Sequence, residues 1–213
     1  MPSSSSCASR TDERLAVIAC GALAGHVRDL ARRNTWPIEV HPLAAGLHNR
    51  PDRIAPAVDE LARSLFRRGL HVALGYADCG SYGAVDQLCE NLGIQRLRGL
   101  HCYDVFGGAN RVRALLERDP GTYLLTDYLV RSFDRTVLTP LGLNKHPELW
   151  TDYFGHYRRL VWLAQERSAE LDASATWIAT RFGLPLLTVD VGTSGLEREL
   201  ARLLHSSGAL ART

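Results

Sequence analysis

The chain has 213 residues, a hydrophobic content of 46% and a formal net charge of +2 at pH 7. A chain of this length and composition can fill one sizeable hydrophobic core. Arginines and acidic residues alternate along the chain without a dense basic block or interleaved aromatic residues. The charge pattern therefore predicts no nucleic-acid partner.

The first residues, MPSSSSCASRTD, are rich in serine and lack the continuous apolar segment of a secretory signal. No later apolar run reaches the roughly 18 residues that a membrane-spanning helix needs. The five cysteines are an odd number, which fits free thiols or metal ligands better than disulfides. We therefore expect a cytoplasmic protein without a membrane partner, and a disordered tail over residues 1–13.

Short apolar runs alternate with longer helical patterns from residue 14 onward. Strands are predicted at 15–20, 38–40, 72–77, 94–97, 122–125, 160–164 and 186–189. Helices are predicted at 22–33, 51–68, 83–92, 110–118, 169–182 and 196–204. This alternation predicts an α/β fold with a mostly parallel sheet and helices on both faces, a Rossmann-like three-layer sandwich. We expect a single domain over residues 14–213.

One segment, residues 127–157, does not fit the alternation. It is helical in pattern, is broken at Pro140 and Pro147, and is rich in aromatic residues. The sequence predicts a helical insertion here. Its aromatic side chains would pack in the core or between subunits of a homo-oligomer, or would cover the sheet edge as a lid.

Three cysteines each follow an apolar run: Cys20, Cys79 and Cys102. If those runs are parallel strands, the three thiols meet at the carboxyl edge of one sheet, where ligands bind in open α/β sheets. Glycine follows Cys20 and Cys79 directly, so that backbone amides can approach both sulfurs. The alternative is that all three are small buried residues at strand ends. Cys7 and Cys89 are expected to be without function.

Two histidines are candidates for a fourth ligand or for proton transfer. His48 lies in a loop, and His101 is next to Cys102. Thiolates with histidine or substrate can hold zinc, which lowers the pKa of a bound thiol and presents it as a nucleophile to a methyl group. Three cysteines can equally hold an iron-sulfur cluster with one open iron. The spacing does not choose between the two.

Polar residues near the same edge provide the remaining candidates. Proton transfer or ligand orientation is assigned to Asp78, Tyr103 and Asp127, although Thr126-Asp127 also has the pattern of a helix start. A small-molecule substrate with an anionic group would be bound by Asn49, Arg50, Arg131 and Gln165. Complete dinucleotide, phosphate-loop and G-x-S-x-G motifs are absent from the sequence.

Several longer phrases together resemble a prokaryotic family known as a domain of unknown function, DUF1638. They are IACGAL (18–23), LHNRP (47–51), GYADCG (75–80), HCYDVFGG (101–108), GTYLLTDYLVRSFD (121–134) and LGLNKHPELWTDYFGHYRRLVWLAQ (141–165). Some members of this family occur beside corrinoid-dependent methyl-transfer proteins. The resemblance therefore implies a corrinoid protein or a methyltransferase as a partner, and no particular reaction.

The leading hypothesis is a metal-thiolate enzyme that transfers a methyl or thiol group, with Cys20, Cys79 and Cys102 holding zinc or an iron-sulfur cluster. A second hypothesis is a non-catalytic accessory protein that carries a metal or cofactor for a methyl-transfer system. A third is a metal-free cysteine enzyme, with a thiolate beside a histidine.

Overall fold

The computed structural model of the protein describes residues 14–207. The tail predicted over residues 1–13, with Cys7, lies outside the described residues. The chain divides into two compact units. The first contains the residues up to His101 together with those from Glu197 onward, and the second contains Cys102–Leu196.

Six strands and nine α-helices form between residues 14 and 207. The strands are β1 (Leu15–Cys20), β2 (Ile38–Leu43), β3 (His71–Gly75), β4 (Thr122–Thr126), β5 (Arg159–Ala164) and β6 (Leu186–Asp190). The helices are α1 (Ala24–Arg33), α2 (Ile54–Arg67), α3 (Ala84–Leu92), α4 (Cys102–Gly107), α5 (Ala109–Arg118), α6 (Asp127–Phe133), α7 (Trp150–Phe154), α8 (Ala169–Phe182) and α9 (Ser194–Ser206).

The first unit is built on a parallel three-stranded sheet in the order β2-β1-β3. Its central strand β1 is buried at every position, as expected for the apolar run LAVIAC between two neighbours. The helix α2 is amphipathic and turns Ile54, Val58, Ala62 and Leu65 inward. These side chains provide much of the apolar surface in the core of the first unit.

The strand predicted at residues 94–97 does not form. The segment makes a single parallel bridge between Leu74 and Arg96, with backbone bonds on either side of it. The Arg96 guanidinium donates to the Asp86 carboxylate at 2.6 and 2.9 Å and to the carbonyls of Leu97 and Gly99. The chain nevertheless stays beside the loop after β3, because the N–H groups of Asp78 and Cys79 donate to the Gly99 and Leu100 carbonyls at 3.2 and 2.7 Å.

The second unit has its own parallel sheet in the order β4-β5-β6. The central strand β5 is buried from Leu160 to Ala164, and α8 packs Leu171, Ala175 and Ile178 into the same core. The predicted helical insertion is the connection between β4 and β5. It contains α6, a π-helical turn at Asp134–Leu138 and α7.

Aromatic side chains fill the core beside this connection. Tyr123 of β4 packs edge-on against Phe154 and Tyr157, and Phe182 of α8 lies 4.8 Å from the rings of both Trp150 and Phe154. The insertion thus contributes core aromatic residues, as one of the sequence interpretations predicted.

The α/β class with parallel strands flanked by helices is confirmed. The strands belong to two three-stranded sheets. None of the helices between residues 14 and 207 combines the length and the apolar character that a membrane crossing requires.

Candidate functional site

The carboxyl ends of the three strands in the first unit carry most of the predicted ligands. Cys20 is the last residue of β1, His48 lies in a short 3-10 helix that follows β2, and Cys79 lies in the loop after β3. Neighbouring parallel strands end at the same sheet edge, so one edge gathers these residues.

Cys20 is buried, with 6% of its surface exposed. Burial raises the pKa of the Cys20 thiol, and hydrogen bonds from the backbone N–H groups of Ala22 and Leu23 oppose that rise. The amides that open the turn into α1 therefore point at the sulfur, as the sequence predicted. The thiol nevertheless stays protonated at neutral pH.

The backbone directly after β1 is packed tightly against the end of β2 and the loop that follows it. A Cβ atom on Gly21 would lie 2.7 Å from the Leu43 carbonyl oxygen and 2.8 Å from the Ala45 nitrogen. Only glycine allows this approach of two backbones. Cys20 is held in this way beside the 3-10 helix (Ala45–Asn49) that carries His48.

His48 is half-buried, and its ring is fixed by its own helix. Nδ1 lies 2.5 Å from the Ala45 carbonyl oxygen. A carbonyl oxygen can only accept, so Nδ1 carries a proton, and in the neutral ring the lone pair is on Nε2. Histidines that bind metals commonly have their second ring nitrogen anchored in this manner.

The loop after β3 has an unusual backbone. Cys79 and Tyr82 have φ angles of +52°, and Gly80 and Gly83 have φ angles of +78° and +87°. The side chain of Tyr82 is 98% exposed, so no packing compensates for its left-handed conformation. Strain of this kind costs about 1 kcal/mol or more at a residue other than glycine, and it concentrates at functional sites.

Asp78 organises this loop. Its Oδ1 accepts hydrogen bonds from the Ser81 hydroxyl at 2.7 Å and from the Gly83 N–H at 3.1 Å. Partial burial opposes ionisation, but these bonds and the charge of Arg96 hold the pKa of Asp78 below its ordinary value. The carboxylate is thus a fixed anion that holds the part of the loop that follows Cys79.

The loops after β2 and β3 are neighbours. A Cβ atom on Gly80 would lie 3.6 Å from Cγ of Pro51, the residue that follows Arg50. Asn49 and Arg50 are exposed in this loop. The segment with His48, Asn49 and Arg50 is therefore adjacent to the Cys79 loop.

Tyr76 was not a predicted site residue, and it is the most informative side chain at this edge. Its ring is fully buried, and its hydroxyl has no hydrogen-bond partner of regular geometry between residues 14 and 207. Burial raises the pKa of the Tyr76 phenol, and the charges of Cys20 and then Cys79 raise it further. The phenol lies beside the Cys20 thiol, and the interaction of the two side chains raises the pKa of the phenol and lowers that of the thiol.

His101 and Cys102 fall on the two sides of the boundary between the units. His101 is exposed at the end of the first unit, and Cys102 begins α4 in the second. The expectation that Cys102 follows a strand is wrong, because the preceding segment pairs at one residue only. Its place in a trio with Cys20 and Cys79 stays a prediction.

The second unit brings Asp127 and Gln165 together at the carboxyl ends of β4 and β5. The fully buried Asp127 carboxylate accepts from Trp162 Nε1 at 2.8 Å and from the N–H groups of Gln165 and Glu166 at 3.1 and 2.7 Å. Gln165 Oε1 accepts from the Asp127 N–H at 2.9 Å, and its amide donates to the Leu163 carbonyl. The two side chains join strand ends through bonds within the protein.

The other two candidates also lie in this unit. The Tyr103 hydroxyl on α4 donates to the Leu124 carbonyl at 3.3 Å, and Arg131 is exposed on α6. These contacts leave the catalytic role of Tyr103 and the binding role of Arg131 as predictions.

No group of three or more histidine, cysteine, aspartate or glutamate side chains has the arrangement of a metal site anywhere in the described part of the chain. A metal ion at Cys20 and Cys79 would therefore need a ligand from a bound molecule, or a shift of the loop that carries Cys79.

The fold and this edge define an α/β protein with two thiols, an anchored imidazole and a buried phenol beyond the carboxyl ends of a parallel sheet. The chain belongs to the family described as "Protein of unknown function (DUF1638)", whose sequence model matches residues 42–200. His48, Cys79 and Cys102 lie within the matched span, and Cys20 precedes it. Neither a curated protein nor a solved structure matches the chain.

Sequence reasoning missed Tyr76 although a signal was present. The tyrosine continues the apolar run VALGYA, one position after β3 ends. A phenol inside a fully buried run needs a partner for its hydroxyl, and that requirement marks the position.

Proposed function

We propose that the protein is a metal-thiolate enzyme that transfers a methyl or thiol group and uses Cys20 and Cys79 as metal ligands. Ionisation of either thiol raises the pKa of the same buried phenol, Tyr76. Zinc and an iron-sulfur cluster are the two candidate centres, because both are held by thiolates.

The observation that carries the proposal is the Tyr76 hydroxyl, which is fully buried and lacks a hydrogen-bond partner of regular geometry. A buried polar group without a partner costs about 1–3 kcal/mol. Such groups often mark the place of an ion, a water molecule or a ligand. Since the pKa of this phenol is raised, it stays protonated and can donate a bond to a thiolate or to a bound acceptor.

The state of Cys20 favours a metal over free thiolate chemistry. Burial raises the pKa of this thiol, so few molecules carry a thiolate at neutral pH. A cation such as Zn²⁺ replaces the proton, which is released to solvent, and the buried charge is then compensated. The amides of Ala22 and Leu23 already point at the sulfur and stabilise its negative charge.

His48 would be the proton acceptor, or a further ligand after a shift of the loop that carries Cys79, since Nε2 of the neutral ring remains available when Nδ1 is bonded to Ala45. Asn49 and Arg50 follow it in an exposed loop beside Gly80. Arg50 suits an anionic group of the substrate, because a guanidinium binds carboxylate or phosphate through two parallel bonds.

Thiolate-bound zinc lowers the pKa of a substrate thiol and keeps it nucleophilic. In methyl transfer, the sulfur of that thiol would form the new bond to carbon, and the methyl donor would leave with the bonding electron pair. In this proposal His48 would take the thiol proton, and Tyr76 would donate a hydrogen bond to sulfur.

The test measures metal content and absorption of the full-length protein purified without oxygen, followed by titration of the metal-free protein with Co²⁺. We expect stoichiometric zinc or iron, and for Co²⁺ a thiolate charge-transfer band whose intensity drops by about half in Cys20→Ala and in Cys79→Ala. The Cys102→Ala variant tests the third predicted thiol by the same readout.

The matched control is Cys89→Ala, which removes another buried thiol, from the middle of α3. This variant should keep the full band. An unchanged band in both Cys20→Ala and Cys79→Ala would refute the metal site. Selective alkylation of one cysteine in a protein without metal would instead support the metal-free cysteine enzyme.

A further inference from the structure

A second concave site lies in the first unit, along the outer edge of β2. One wall is a stripe of α1, the other is the first half of β2, and the turn between the two elements closes one end. Its lining includes Gly25, Arg28, Thr35, Trp36, Ile38 and Val40. The thiols lie at the carboxyl end of the sheet, so this cleft is a separate feature.

The cleft has a volume of about 730 Å³. Pockets for small molecules commonly span about 300–1,000 Å³ and combine an apolar lining with a few polar groups. Here Ile38, Val40 and the half-buried indole of Trp36 provide the apolar surface. The dimensions suit a molecule with a planar ring and one substituent.

At the closed end of the cleft, one residue has a backbone conformation that is unfavourable for its side chain. Helix α1 ends in a turn in which the Trp36 N–H bonds to the Ala31 carbonyl and the Thr35 N–H bonds to the Arg32 carbonyl. This turn requires a left-handed residue, normally glycine, and Thr35 occupies it with φ +53°. A β-branched residue is strained there, and Thr35 lines the cleft together with Trp36.

The wall of the cleft that α1 forms lacks a side chain at one position. Gly25 lies in the first turn of α1, and a Cβ atom at that position would meet nothing within 4 Å. An alanine would favour the helix and would fill part of the open space. Thr35 and Gly25 are thus two cleft residues whose replacement by glycine and alanine, respectively, would make the local backbone more stable.

Most charged side chains that line the cleft are in ion pairs, but one arginine is not paired with any of the described residues. Arg32 is paired with Asp29, and Glu39 is paired with His41 at 3.0 Å and with Arg68 at 3.2 Å. For Arg28, which is exposed on the same stripe of α1, the described residues contain no ion-pair partner. Because Arg28 and Trp36 line the same cleft, a ligand that extends along it can place a ring on the indole and an anionic group on this guanidinium.

We propose that this cleft binds a small aromatic anion, with the ring against Trp36, the phosphate or carboxylate on Arg28 and a hydrogen bond from the Thr35 hydroxyl. Aromatic stacking and a charge-assisted bond are the two interactions that the lining offers. The proposal does not depend on the thiol site.

The test is isothermal titration calorimetry of the full-length protein with four probes. AMP and indole-3-acetate are aromatic anions with a phosphate and a carboxylate, adenosine carries a ring alone, and ribose 5-phosphate carries an anion alone. We expect at least one aromatic anion to bind saturably, and both single-feature probes to bind about tenfold more weakly or not at all. AMP and indole-3-acetate distinguish the two kinds of anion.

Three variants locate the binding. Arg28→Gln should weaken the aromatic anion about tenfold and leave adenosine unchanged, and Trp36→Leu should abolish binding of both. Thr35→Gly should weaken binding several-fold although its melting temperature rises, because the strained position then holds its preferred residue. Weaker binding together with a higher melting temperature would show that a contact with the ligand is lost and that the fold is intact.

The control is Trp177→Ala in the second unit, which removes an exposed indole that also lies near an arginine, Arg181. It should bind with wild-type affinity. If no aromatic anion binds at millimolar concentration, or if binding is unchanged in both Arg28→Gln and Trp36→Leu, the proposal is wrong.

Discussion

The Asp127 carboxylate is fully buried and accepts three hydrogen bonds, from one indole and two backbone N–H groups. All three donors belong to β5 or to the residues directly after it. At the same time Asp127 is the first residue of α6. A single side chain therefore joins a strand end to a helix start.

Replacement Asp127→Asn should lower the free energy of unfolding by about 2 kcal/mol. The amide group that replaces one oxygen cannot accept, so one or more buried donors lose their partner. Urea denaturation measures the change. The control is Asp134→Asn, an exposed carboxylate bonded to Asn144 at 3.0 Å, which should change stability by no more than about 0.5 kcal/mol.

At the residue scale, the sequence identified Cys20, Cys79 and His48 because each follows an apolar run or lies in a loop beyond one. The contacts of these residues required the fold. The burial of Cys20 and the position of the Tyr76 hydroxyl beside it depend on atoms from separate strands or loops. Spacing along the chain carries no information on such distances.

At the scale of the elements, two glycines occupy equivalent helix positions but differ in how closely other atoms approach them. Gly25 is the second residue of α1, and Gly195 is the second residue of α9. A Cβ atom on Gly25 would meet open space, whereas one on Gly195 would lie 2.2 Å from the Val105 carbonyl oxygen of α4. The start of α9 therefore packs directly on the backbone of α4.

We expect Gly195→Ala to destabilise the protein by about 2 kcal/mol, because backbone rather than a flexible side chain must move. Gly25→Ala should stabilise it by about 0.5–1 kcal/mol, since alanine is the better helix former. Thermal unfolding of the two variants beside wild type gives the comparison. Equal changes of the same sign would contradict the packing described for α9.

Most elements were predictable because their ends carry local signals. Helix α8 matches its predicted bounds, with the Ser168 hydroxyl accepting from the Leu171 N–H at one end and Gly183 left-handed at the other. Helix α4 was missed, because six residues between glycine-rich segments show no helical period. The strand predicted at 94–97 is reduced to a single bridge between Arg96 and Leu74, a pairing that local periodicity does not reveal.

For the whole molecule, several buried acids determine how stability changes at alkaline pH. Burial raises the pKa of Cys20, raises that of Cys89 to about 11 and raises that of Tyr123 to about 12. The folded protein thus keeps protons that the unfolded chain loses from about pH 9 upward. The stabilisation is complete below that pH and is lost as the pH rises through the folded values.

The free energy of unfolding should therefore fall by about 1 kcal/mol per pH unit between pH 9 and 11. Urea denaturation at a series of pH values measures the slope. In Cys89→Ala the slope should be shallower, although the stability at pH 7 falls because a buried side chain is lost. An identical slope in this variant would show that the Cys89 thiol does not take part.

By itself the sequence determined the α/β class, the order of nearly all strands and helices, and the family. These depend on local periodicity, capping residues and recognisable phrases, which a single chain displays directly. Only the tertiary structure decided that the strands form two sheets, that Asp127 is bonded within the protein, and that Tyr76 lies beside the thiols. Strand pairing and buried contacts join residues that are distant in the chain, and their energies depend on three-dimensional neighbours that no local pattern contains.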